Sequence, residues 1–89
     1  MIRYESKIKK RFEKGKIPLN IFQHIHNAFI AIDHTKDLNL FDVKRLKNKD
    51  ERFYFRLRKG DYRALFYYEN DDIYVIALDK REEVYKKWQ

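Results

Sequence analysis

The hydrophobic pattern is clearest in residues 52–81, RFYFRLRKGDYRALFYYENDDIYVIALDKR. Phe53, Phe55 and Leu57 alternate with Arg52, Tyr54, Arg56 and Arg58. That is the two-residue period of a half-buried strand. Gly60-Asp61 breaks the run and suits a tight turn, because glycine takes positive φ without a Cβ penalty. Residues 62–69 alternate again, with Tyr62, Ala64, Phe66 and Tyr68 on one side and Arg63, Leu65 and Tyr67 on the other. After the polar cluster Asn70-Asp71-Asp72, residues 73–78 are continuously apolar, which predicts a strand covered on both faces. Hairpin connections make these three strands antiparallel.

The amino-terminal half changes period. Residues 1–5 suit a short strand, with Ile2 and Tyr4 facing a core. Ser6 is the expected N-cap of a helix running to about Lys14, with Tyr4, Ile8 and Phe12 four apart and lysines around them. Gly15 is placed to end it. Pro18 is expected in the first turn of a second helix, where its missing N–H costs nothing. Leu19, Phe22, Ile25, Phe29 and Ile32 then recur every three or four residues and predict the main cover of the sheet. Residues 33–39 read as a polar connection, residues 41–46 as a weak edge strand, and residues 47–51 as a turn. Residues 81–88 suit two turns of helix carrying Val84, Tyr85 and Trp88. Together these elements predict one domain over residues 1–89, an antiparallel sheet covered by an N-terminal helical hairpin and followed by a short C-terminal helix.

Composition narrows the function classes. A chain of 89 residues has a modest core, but seven Phe, seven Tyr and one Trp enlarge the apolar area available. The absence of cysteine excludes disulfides and thiolate metal sites within the chain. No apolar run approaches the length of a membrane span, and no signal-like start is present, so a soluble cytoplasmic protein is expected. The formal net charge of +7 favours a polyanion, either nucleic acid or an acidic protein segment. His24 and His26 are two apart on a helix and do not share a face, and His34 falls in the polar connection. No metal site is therefore expected. With two glycines in the chain there is no phosphate-binding glycine loop, and no cofactor is expected.

Several short motifs now stand in order: Leu46-Lys47, Tyr54-x-Arg56-Leu57-Arg58, Gly60-Asp61-Tyr62-Arg63, and Lys80-Arg81-Glu82-Glu83-Val84-Tyr85. In this order and spacing they resemble the RelE/ParE superfamily of toxins from toxin–antitoxin modules, the RelE-like branch more than the ParE-like. The resemblance covers residues 41–85 well, and the amino-terminal half matches in plan. It implies a compact α+β fold, with a curved antiparallel sheet carrying the N-terminal helical hairpin on one face and a short C-terminal helix. With that fold it implies a ribosome-dependent mRNA endoribonuclease that works in the ribosomal A site without a metal, by attack of a 2′-hydroxyl on the adjacent phosphate. It also implies a cognate antitoxin with an acidic toxin-binding segment, and a toxin that is a monomer on its own.

By the same resemblance, Arg63 and Arg81 match the family's two catalytic arginines and Tyr85 its catalytic tyrosine. Arg56 falls where RelE-like enzymes often carry one lysine of a basic pair. Tyr54 falls at the other member, so one cation is lost there. Lys47, Lys49, Arg52, Tyr54, Arg58, Lys59 and Tyr67 are the expected RNA-binding residues. Guanidinium forks suit bidentate phosphate contact, and an aromatic such as Tyr67 can stack on a base.

Structural readings compete with each assignment. Arg52, Arg56 and Arg58 suit a solvated strand face, and Arg63 suits an ion pair to Asp61 or Glu69. Arg81 suits ordinary helix-start chemistry, and Tyr85 suits core packing. Two other functions share the resemblance: a ParE-like inhibitor of DNA gyrase, and a non-toxic homologue that only binds an antitoxin.

Overall fold

The computed structural model describes residues 1–46 and 52–80. The elements run β1 (Ile2–Tyr4), α1 (Ser6–Glu13), α2 (Leu19–Thr35), a 3-10 turn (Leu38–Leu40), β2 (Val43–Leu46), β3 (Tyr54–Lys59), β4 (Tyr62–Glu69) and β5 (Asp72–Lys80). The architecture is α+β, with a five-stranded sheet in the order β1-β5-β4-β3-β2. The expected C-terminal helix lies outside the described residues.

Strands β2 to β5 form an antiparallel meander, and its two tight turns have the local chemistry they need. Gly60 holds φ +59° between Lys59 and its partner Tyr62. Asn70 and Asp71 both take positive φ, at 52° and 65°, between Glu69 and its partner Asp72. Positive φ at both central residues marks the type I′ hairpin, whose twist matches that of the strands.

The sheet is mixed rather than wholly antiparallel. β1 runs parallel to β5, with Ile2 opposite Ile73 and Tyr4 opposite Val75. The reason is topological. β1 and β2 occupy opposite edges, and the helical hairpin carries the chain from one to the other. No hairpin ties β1 to its neighbour, so nothing local requires an antiparallel pairing.

Both helix starts and the end of α2 depart from expectation, while Gly15 ends α1 as expected. Ser6 is the first helical residue, and Glu5 in extended conformation is the cap, its carbonyl accepting from Ile8 N–H at 2.9 Å. At the other end Gly15, at φ +73°, closes a Schellman motif. Its N–H donates to Phe12 O, and that of Lys16 donates to Arg11 O. Pro18 is the cap of α2 rather than a residue of its first turn. α2 also continues through Asp33, His34 and Thr35, which the polar composition suggested was a connection. Thr35 returns its hydroxyl to Ala31 O at 2.8 Å, and Lys36 ends the helix in the left-handed region.

One core lies between the helices and the sheet. Ile8 from α1 and Ile25, Ala28, Phe29 and Ile32 from α2 pack on Leu57, Ala64, Phe66, Ile73, Val75 and Leu78. Phe66, in the middle strand, meets Phe29 edge-on at 5.0 Å and stacks on Phe55 at 5.5 Å. Tyr4 and His26 share a hydrogen bond of 2.8 Å beneath the β1 edge. Burial pushes the Tyr4 phenol well above its usual range. α1 is also tied to the end of β5, where Arg11 Nη2 lies 2.7 Å from the buried carboxylate of Asp79.

Candidate nucleic-acid interface

Strand alternation assigns the opposite face of the sheet. Phe55 and Leu57 join the core, so Tyr54, Arg56 and Arg58 face away from the helices. Tyr62, Ala64 and Phe66 join the core, so Arg63, Leu65 and Tyr67 face away as well. The register sets these side chains opposite one another: Arg58 with Arg63, Arg56 with Leu65, and Tyr54 with Tyr67. On β5 the register shifts at Leu65/Phe66, leaving Ile76 as an extra residue. This bulge lets Ile76 and Ala77 both lie with Leu65 on the open side. The face thus has a cationic end near Gly60 and an aromatic end near the β4–β5 turn.

At the cationic end, Arg63 is only 6 % exposed. Its Nη1 donates to Gly60 O at 3.1 Å and to Tyr62 O at 3.2 Å, and its Nε has no partner. Among the described residues no carboxylate forms an ion pair with it. The two candidates from the sequence do not serve, since Glu69 pairs with Arg52 at 3.2 Å and the contacts of Arg63 are carbonyls. Asp79 stands opposite Arg63 in the register but is held by Arg11. Arg63 is therefore a buried guanidinium with spare donor capacity beside Arg58, an arrangement that favours an anion.

Arg56 and Arg58 share a partner that sequence reading missed. Asp42, just before β2, lies 2.9 Å from Arg56 Nη2 and also binds Arg58 Nε. The register signal was present in principle, since Arg58 N–H donates to Asp42 O, but it requires the β2–β3 pairing to be known. Asp42 competes directly with any phosphate for these two guanidinium groups. Asp42 is 43 % and Arg58 53 % exposed, so that pair contributes little stability, whereas Arg56 is only 13 % exposed and loses more when its carboxylate is removed. Asp42→Asn is expected to lower the melting temperature modestly and to raise affinity for single-stranded RNA. The plot of log K against log salt should steepen by about 0.7 for each arginine that gains a phosphate. A salt titration of RNA binding checks this, and an unchanged slope would show that neither arginine meets the backbone.

At the aromatic end four side chains stack in a row. The Arg52 guanidinium lies 4.1 Å over the Tyr67 ring, and Tyr67 stacks on Tyr74 at 5.2 Å with 7° between planes. Arg3 stands 6.0 Å over Tyr74, and Tyr54 meets Tyr67 edge-on at 5.8 Å. Arg52 is anchored by Glu69, and Arg3 reaches Asp72 at 3.4 Å. A groove of about 940 Å³ runs along this row, with Lys7 and Lys9 of α1 at its rim.

The expected RNA-binding residues Arg52, Tyr54, Arg58 and Tyr67 thus share this face with Arg56 and Arg63. Lys59 does not. It follows Leu57 in the alternation, on the helix side at the mouth of the turn. Lys47, Lys49, Arg81 and Tyr85 lie outside the described residues. β5 is described to Lys80, which pairs with Tyr62, the residue before Arg63.

No protein-family model matches the chain, and no curated protein matches it. Among solved structures it is similar to the RelB–RelE antitoxin–toxin complex from Methanococcus jannaschii. That match has a TM-score of 0.74 and 22 % identity, over 98 % of this chain and 99 % of that one. It is also similar to the archaeal RelE–RelB complex from Pyrococcus horikoshii OT3, with a TM-score of 0.69 and 18 % identity, over 90 % and 92 % of the two chains. The chain has a RelE-like fold. The RelE-like sheet is the surface that carries the arginine cluster and the tyrosine row, and it is the face left uncovered by α1 and α2 among the described residues.

Proposed function

We propose that this chain is the toxin of a toxin–antitoxin pair and cleaves mRNA in the ribosomal A site without a metal. The observation that carries the reading is the buried, spare-donor guanidinium of Arg63 beside Arg58 on the open face of a RelE-like sheet. In the reaction the 2′-oxygen bonds to phosphorus and the bond to the 5′ oxygen breaks. A proton leaves the 2′-hydroxyl and another reaches the departing oxygen. Arg63 neutralises the charge that builds on the phosphorus-bound oxygens, which is commonly the largest catalytic contribution. Arg81 and Tyr85, assigned by sequence resemblance, complete the site, and Arg56 is the retained cation of the basic pair. An antitoxin with an acidic segment would cover the same face and compete for its guanidinium groups.

Induction of the chain in a sensitive host is expected to stop translation and to leave new 5′ ends within message codons, read by primer extension. Plasmid supercoiling should be unchanged at the moment growth stops. Two observations favour a second reading, binding to DNA gyrase with no cleavage: Tyr54 stands where a cation is lost, and Asp42 occupies both Arg56 and Arg58. Loss of supercoiling with intact messages would establish that reading instead.

A further inference from the structure

We infer that Arg3 and Tyr74 form a base-binding slot, which takes a nucleobase of single-stranded RNA lying apart from the phosphate held at Arg63. The inference rests on the nuclease reading and adds a specificity site to it. Tyr74 and Arg3 belong to β5 and β1, outside the motifs that carry the sequence resemblance.

The geometry is close to what a base requires. A flat ring between two planar groups needs about 7 Å between them, two van der Waals separations of about 3.5 Å. The Arg3 guanidinium carbon already stands 6.0 Å from the Tyr74 ring centroid, so an opening of about 1 Å, with the guanidinium laid parallel to the ring, admits a base. Arg3 can make that movement. Its side chain is 52 % exposed on a three-residue edge strand, and it is tethered by a 3.4 Å contact to Asp72. The Tyr74 ring is held rigidly by its stack on Tyr67, which Arg52 backs on the far side. One wall of the slot is therefore fixed and the other adjustable.

The surroundings suit a nucleotide better than an apolar ligand. The groove beside Tyr74 is lined by the cations Arg3, Lys7, Lys9 and Arg52 and by the carboxylate Glu5, which lies 3.7 Å from Lys7. Asp72 and Glu69 hold Arg3 and Arg52 from outside the lining. Lys7 and Lys9 are exposed at its rim, where they can meet a backbone phosphate. Four residues of β3 separate the Tyr54 level from the Arg58 level, about 13 Å along the strand. A strand gripped at Arg58 and Arg63 thus reaches Tyr74 with a base near the cut rather than the base at it. Aromatic stacking tolerates any base, so the slot adds affinity and position more than sequence choice.

The test uses the full chain and a hexanucleotide RNA carrying 2-aminopurine at successive positions, at low ionic strength. Binding is expected to quench one position selectively. Tyr74→Ala should lose that quench and weaken binding about tenfold, and Arg3→Ala should do so less. Tyr74→Phe should retain both. Arg63→Ala should weaken binding while leaving the quench at saturation. If the wild type binds RNA and Tyr74→Ala keeps full quench and affinity, the slot does not exist although the nuclease reading stands. If Tyr74→Ala instead weakens only the capture of an acidic antitoxin peptide, the surface is a protein-docking site and the inference is overturned. Failure of the wild type to bind the RNA overturns the slot, whereas the nuclease reading is decided separately by cleavage on translating ribosomes.

Discussion

Arg63→Ala is expected to lower message cleavage about 10²–10³-fold and to abolish growth arrest, while the protein remains folded. The two halves of this result have separate causes. Arg63 contributes two hydrogen bonds to carbonyls of its own hairpin, each with a net value of about 1 kcal/mol. Against that loss, the substitution removes a guanidinium that is 6 % exposed and lacks a carboxylate partner among the described residues. Keeping such a charge dry is itself unfavourable. The net change in stability should therefore be no more than about 1–2 kcal/mol. In the proposed reaction activity has no such compensation, because the charge that develops on the phosphate would have lost a preorganised donor. Urea denaturation alongside cleavage on translating ribosomes separates the two effects. A folded Arg63→Ala protein with full toxicity would remove Arg63 from the mechanism.

Phe66→Ala should have the opposite profile, a failure of folding. Phe66 is fully buried in the central strand and touches rings from α2, β3 and its own strand: Phe29, Phe55 and Tyr68. Truncating a buried phenylalanine costs about 3–5 kcal/mol, from lost transfer energy and from the cavity left behind. A domain of this size has about 5–15 kcal/mol in total, and small cores sit near the lower bound. The melting temperature should fall by about 15 °C or more, measured by circular dichroism. Growth arrest would be lost through depletion of folded protein. A drop of only a few degrees would mean that the helices and sheet are not coupled through this ring.

Most of this fold was legible because the signals were local. The span of β4 and the two turns follow from alternation and from residues that accept positive φ. Period alone grouped Arg56 with Arg58 and Arg63 with Tyr67, and the β3–β4 register puts the two groups on one face. Phe53, grouped with Phe55 and Leu57, is instead 51 % exposed. What escaped depends on contacts distant in the chain. The parallel pairing of β1 has no signature in three residues. α2 extends to Thr35 with the Thr35 hydroxyl turned back to Ala31 O and Lys36 N–H donating to Ile32 O, which composition does not reveal. Asp42 reads as an ordinary loop acid until β2 pairs with β3 and brings it to Arg56 and Arg58. Tyr74 looked like part of a fully covered apolar strand. The register with Tyr67 instead makes it the second ring of a stack.

The proposed mechanism turns on a ribose hydroxyl as nucleophile, with cationic side chains rather than an ion stabilising the phosphate. A programmed ribosome carrying a message with one 2′-deoxynucleotide just upstream of the cut tests this most directly. Cleavage at that bond should vanish, while an all-ribose message in the same reaction is cut at the usual position. Equal cutting of the two messages would contradict the account.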